Sequence, residues 1–122
     1  MSRIHPTAII EEGAQVADDV VLGPNSFVGS EVVLGPGCRL DHGALIQGRT
    51  TLGAGNHLFP YAVLGSVPQD LKYEGEPARL LIGDGNSIRE HVTIHIGTEQ
   101  GGGLTQIGDE NLIMAGAHVG HD

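Results

Sequence analysis

Counted in steps of six from Ile4, the chain places Ile10, Val16, Leu22, Val28, Leu34, Leu40, Ile46, Leu52, Leu58 and Leu64 in a single frame. Every one is Ile, Leu or Val. Those three types fill about one position in four, so chance would give such a run roughly once in a million. The frame resumes at Ile82, Ile88 and Ile94, and again at Ile107, Ile113 and Val119. A second column, mostly small, falls four places after each aliphatic: Ala8, Ala14, Val20, Ser26, Val32, Cys38, Ala44, Thr50, Asn56 and Ala62. Six is even, so the aliphatics always leave an extended strand on the same side, whereas a helical period of about 3.6 would smear them around its surface. Gly follows the aliphatic repeatedly ("LGPNSF", "LGPGCR", "LGAGNH", "IGDENL"), and Gly and Asn tolerate the positive φ that tight bends need. Short strands, a large then a small inward residue, and a bend every few positions predict an all-β chain wound as a parallel β-helix.

Two interruptions break the frame. Between Leu64 and Ile82 the in-phase positions are Asp70 and Glu76, so residues 65–81 are expected to form a loop outside the coil. Between Ile94 and Ile107 there are about seven residues too many, which makes 97–106 ("GTEQGGGLTQ") a second external loop. Loops leaving a rigid scaffold are where function concentrates. If the second insertion only bulges outward, Val119 stacks over Ile94. His118 and His95 then lie on neighbouring coils of one wall with α-carbons ~8 Å apart, and His121 sits at the following bend.

A length of 122 residues fits one domain, residues 1–122. The formal charge of −9 opposes binding to nucleic acid or an anionic membrane, so an anionic substrate would be held by a few local cations. One cysteine, Cys38, cannot form an internal disulfide framework, and no signal peptide or membrane-length apolar run is visible, so a cytoplasmic location is expected. His5, His42, His57 and His91 are scattered over the repeat and read as surface residues, whereas His95, His118 and His121 gather. Two chemistries fit that cluster: a general base, His121 with Asp122 beside it, or three imidazoles around a zinc ion with an open position. A Ser or Cys nucleophile has little support, because Cys38 falls in the inward column.

The hexads resemble those of left-handed hexapeptide-repeat proteins, three hexads to a coil. "IHPTAII", "PQDLKYEGEP", "IGDGNSIREHVTIHIGT" and "GGGLTQIGDENLIMAGAHVGHD" narrow the likeness. Over essentially all its residues the chain resembles the N-terminal part of the acyl-carrier-protein–UDP-N-acetylglucosamine O-acyltransferase family of lipid A biosynthesis. The resemblance implies a homotrimer with active sites between subunits, no cofactor and no metal. It implies a 3-hydroxyacyl chain passed from acyl carrier protein to the 3-position of UDP-N-acetylglucosamine without an acyl-enzyme. It also implies His121 as general base, oriented by Asp122, with His118 and His95 lining the sugar-nucleotide cleft, Lys72 on a phosphate and Asp70 on the acetamido sugar. Ile96 stands where the family usually has Arg. The family's further coils and helical C-terminal domain are absent from these residues, so the chain alone is expected to be inactive. The other readings are a zinc-dependent, carbonic-anhydrase-like hexapeptide trimer and a non-catalytic solenoid.

Overall fold

The computed structural model describes residues 3–66, 79–95, 104–114 and 116–119. Most hexads yield a strand of only two residues, because the bend after it takes the other four. The strands fall on three walls. The first carries Arg3–Ile4, Val21–Leu22, Arg39–Leu40, His57–Leu58, Ser87–Ile88 and Leu112–Ile113. The second carries Ile9–Ile10, Phe27–Val28, Leu45–Ile46, Val63–Ser66, Thr93–His95 and His118–Val119. The third carries Gln15–Val16, Val33–Leu34, Arg49–Leu52, Arg79–Ile82 and Leu104–Ile107. All pairings are parallel, and Ile4 aligns with Leu22, Leu22 with Leu40 and Leu40 with Leu58, so eighteen residues make one coil. The fold is a left-handed parallel β-helix, with no helix among the described residues.

The aliphatic frame fills the interior. Leu22, Leu34, Leu40, Ile46, Leu52, Leu58, Leu64, Ile88 and Ile94 are all fully buried. Each such side chain contributes about 1.5–3 kcal/mol relative to exposure. The second column occupies the inner corners, where polar members are kept only with a partner. The Ser26 hydroxyl donates to the Gly23 carbonyl at 2.8 Å, and the Thr50 hydroxyl donates to that of Gln47 at 2.7 Å. Cys38 is buried there too, its thiol donating to the Gly53 carbonyl at 3.1 Å. Burial pushes the Cys38 thiol above its ordinary range, which depletes the reactive thiolate. We expect native protein to resist iodoacetamide at pH 8 and to be alkylated fully in denaturant. Rapid labelling of the folded chain would contradict the corner placement.

Across the interruptions the spacing grows, yet the aliphatics return to alignment. Leu58 aligns with Ile88 and Ile88 with Ile113, which is one coil plus twelve residues and then one coil plus seven. The insertions therefore leave the stacking intact, but they are narrower than the expected loops at 65–81 and 97–106. Gly65 and Ser66 still extend a strand of the second wall, while Arg79–Ile82 and Leu104–Ile107 are strands of the third. Leu80 explains the difference. It aligns with Thr50 and Thr105 and is fully buried, so a large residue occupies the corner column usually held by small ones. At the exit of the first insertion, Gly65 has φ +83°, and an added Cβ would overlap the Gln47 carbonyl and the Thr50 hydroxyl. Only glycine lets the backbone turn out so close to the coil below.

The glycines after Leu52 and Ile82 have a different cause. A Cβ at Gly53 would overlap the Asp84 carboxylate, and one at Gly83 that of Asp109. Those carboxylates accept from the Ala54 and Asp84 backbone N–H groups at 2.8 and 2.7 Å, tying each coil to the next.

Candidate functional site

Strands Thr93–His95 and His118–Val119 lie side by side on the second wall, with Ile94 aligned to Val119 and Thr93 to His118. The expected stacking of Val119 over Ile94 is therefore present. Inward Ile94 and Val119 oblige Thr93 and His118 to project from the outer face, since neighbours along a strand alternate. His118 is exposed, and its Nδ1 lies 2.6 Å from the Thr93 hydroxyl. His95 ends its strand, aligned with Ser66 on the coil below.

Both insertions start from the second wall, after Ser66 and after the strand ending at His95, and both return to the third wall, at Arg79 and Leu104. Their points of departure are thus stacked one coil apart at a single corner, beside the strand that carries His118. Two insertions leaving a rigid scaffold at one corner make that corner the candidate ligand cleft. His95 and His118 are brought to adjacent strands of this wall. Asp70 and Lys72 of the first insertion, together with Ile96, His121 and Asp122, lie outside the described residues.

Thr93 was legible but easily passed over. It precedes Ile94 as His118 precedes Val119, so the hexad frame alone pairs them. An outward Thr on a strand, however, resembles any other β-former.

The remaining histidines have local partners. His57 Nε2 and an Asp41 carboxylate oxygen are 2.9 Å apart, Arg39 Nε is 3.0 Å from the other oxygen, and the His57 ring stacks on Phe59 at 3.9 Å. The Arg89 guanidinium covers Phe59 at 4.3 Å, and its hydrogen bond and charge hold the Glu90 carboxyl below its ordinary range. This row runs along the first wall, so it is a different surface from the His118 wall. His42 meets Tyr61 edge-on, and Tyr61 stacks on His91 at the bend between the first two walls. The surface placement expected for His42 and His91 stands, with His57 half-buried rather than free. Among the described residues no three His, Cys, Asp or Glu side chains form a metal-binding group. No helix among them is long and apolar enough to cross a membrane.

No protein-family model matches the chain. It is 48% identical over 122 residues to an acyl-[acyl-carrier-protein]–UDP-N-acetylglucosamine O-acyltransferase of Saccharophagus degradans, covering all of this chain and 47% of that protein. It is 48% identical over 120 residues to the protein of the same name from Syntrophobacter fumaroxidans, covering 98% of this chain and 46% of the relative. Among solved structures, the UDP-N-acetylglucosamine O-acyltransferase of Moraxella catarrhalis superposes with a TM-score of 0.95 at 45% identity, over 98% of this chain and 46% of that one. The UDP-N-acetylglucosamine acyltransferase of Bacteroides fragilis does so with a TM-score of 0.93 at 42% identity, over 97% of this chain and 46% of that one. The chain spans about half the length of the curated relatives it matches. Its resemblance to these O-acyltransferases holds in both sequence and fold.

Proposed function

We propose that these 122 residues form part of an enzyme that transfers a 3-hydroxyacyl chain from acyl carrier protein to the glucosamine 3-position of UDP-N-acetylglucosamine, the first step of lipid A biosynthesis, the activity residing in the full-length protein rather than in these residues alone. The observation that carries this reading is the unbroken likeness along the whole chain, 48% identity over all 122 residues, with both insertions included.

In this mechanism His121 removes the proton from the 3-hydroxyl, and Asp122 holds the imidazole in the orientation that leaves one nitrogen free to accept it. The sugar oxygen attacks the thioester carbonyl directly. The tetrahedral intermediate collapses with cleavage of the C–S bond, and the thiolate leaves with the proton returned from the imidazolium. Thiolates are good leaving groups, so positioning and charge stabilisation of the oxyanion carry much of the remaining rate. His118 and His95 line the sugar-nucleotide cleft. Lys72 meets a phosphate, supplying one of the few cations in a chain of net charge −9, and Asp70 contacts the acetamido sugar. The active assembly is a homotrimer in the cytoplasm, with the cleft completed by a neighbouring subunit.

Calorimetric titration with UDP-N-acetylglucosamine and metal analysis of the purified protein test this reading together. Saturable binding to protein without stoichiometric zinc is the expected result. Stoichiometric zinc with carbon dioxide hydration would replace it with a carbonic-anhydrase-like trimer. Absence of sugar-nucleotide binding would leave a structural solenoid.

A further inference from the structure

We infer that Arg49 and Arg79 form a phosphate-binding pair on the third wall, at the corner where the first insertion returns to the coil. The two residues are directly aligned on adjacent parallel strands, whose backbones lie about 4.8 Å apart. Thr50 and Leu80, the next residue in each strand, are fully buried, so both arginines project from the outer face, and both are exposed. The start of the Arg49 strand is held in place. Gly48 takes φ +66°, the Thr50 N–H donates to the Gly48 carbonyl at 2.9 Å, and the Thr50 hydroxyl donates to that of Gln47 at 2.7 Å.

Charge makes this alignment unfavourable unless an anion joins it. Like charges directly opposite each other on neighbouring strands are destabilising. Arg39 and Arg89 each hold a carboxylate, at 3.0 and 2.9 Å. Arg49 reaches Glu31 only at 3.7 Å, with both side chains more than half exposed, and no ion pair to Arg79 occurs among the described residues. A chain of net charge −9 thus stacks two of its six cations beside one loosely held acid. Two planar guanidinium forks at this spacing can close on a single tetrahedral anion, each through two N–H donors, which the point charge of a lysine does not reproduce. The substrates of the proposed acyl transfer, on which this choice of ligand rests, bring two such groups. One is the diphosphate of the sugar nucleotide, and the other is the phosphodiester of the carrier protein's thiol-bearing arm.

The test uses the full-length protein with Arg49→Gln, Arg79→Gln and Arg79→Lys. Pyrophosphate is the probe that does not depend on the acyl-transfer reading. Calorimetry should show saturable pyrophosphate binding to the parent, weakened about tenfold in each Gln variant, the scale of one charge-assisted hydrogen bond, and weakened less in Arg79→Lys. Thermal midpoints should hold or rise, because each Gln change removes a like-charge contact. Two further arms separate the sources. A matching loss of affinity for UDP-N-acetylglucosamine assigns the pair to the diphosphate. A matching rise in KM for the loaded carrier protein, at unchanged nucleotide affinity, assigns it to the phosphodiester. No pyrophosphate binding by the parent, binding that the Gln variants keep, or its loss with both substrates unaffected overturns the inference. So does a thermal midpoint that falls in step with affinity, the mark of a structural role. If the parent binds pyrophosphate through the pair but neither binds the sugar nucleotide nor forms its ester, the pair stands and the acyl-transfer reading fails.

Discussion

In the full-length protein, replacing His121 by Ala should lower kcat for acyl transfer by about 10²–10⁴, with only a small change in the KM for UDP-N-acetylglucosamine. A sugar hydroxyl is a poor nucleophile until its proton is being removed, and alanine offers no acceptor in the place of the imidazole. Ground-state binding of the nucleotide draws on other groups, here His118, His95 and Lys72, so the loss falls on the chemical step. Steady-state kinetics of the variant, with its thermal unfolding as a control for folding, checks this. Activity within about threefold of the parent would remove His121 from the base role, because a positioned base contributes far more than that.

The largest stability effect is expected from the buried Asn column. Asn86 is 1% exposed; its side-chain amide donates to the Gly108 carbonyl at 2.8 Å and to Asn56 Oδ1 at 3.0 Å, while its own Oδ1 accepts from the Asn111 backbone N–H at 2.8 Å. Asn56 repeats the arrangement one coil below, donating to the Gly53 and Gly83 carbonyls at 3.1 and 2.7 Å. One side chain thus satisfies backbone groups on its own coil and the next. Asn86→Ala leaves the Gly108 carbonyl and the Asn111 N–H, both on exposed residues that water can reach, without that partner and takes one of two donors from the buried Asn56 Oδ1, where a lost partner costs about 1–3 kcal/mol. With the exposed groups rescued by water, a net loss of about 1–3 kcal/mol is expected, still a sizeable share of the roughly 5–15 kcal/mol that holds a typical domain. Urea unfolding would read it as a lower midpoint at an unchanged slope. A loss below about 1 kcal/mol would show that the coils do not depend on this column.

The coil architecture was legible because one physical demand repeats: every sixth residue must be aliphatic, and any other choice leaves a hole in a core one side chain wide. The same frame aligned Val119 with Ile94 before any coordinates, and the insertion lengths preserved that alignment. Less legible were features that break the averages. Leu80 occupies a corner usually given to small residues, so the strand before Ile82 read as loop. Tyr61 and His91 take the positive φ of a bend, at 62° and 59°, where glycine or asparagine was the expectation, and their rings stack on one another there. Asn56 looked like an imperfect member of the small column, yet it is a hydrogen-bonding node. For the candidate site, periodicity placed His118 and His95 on neighbouring coils, but spacing alone could not separate a base from a metal ligand. That choice came from the wording of the insertions and of "HVGHD", where the chemistry lies in side chains that no repeat dictates.

The central claim is acyl transfer to the sugar nucleotide. Its most direct measurement is to incubate the full-length protein, and separately the 122 residues alone, with 3-hydroxyacyl-loaded acyl carrier protein and UDP-N-acetylglucosamine, then identify the products by mass spectrometry and NMR. The expected result is UDP-N-acetylglucosamine esterified at its 3-oxygen by the full-length protein, one carrier thiol released per ester formed, no acylated enzyme, and no ester from the 122 residues alone. Failure to form that ester, or trapping of the acyl chain on the protein itself, would contradict it.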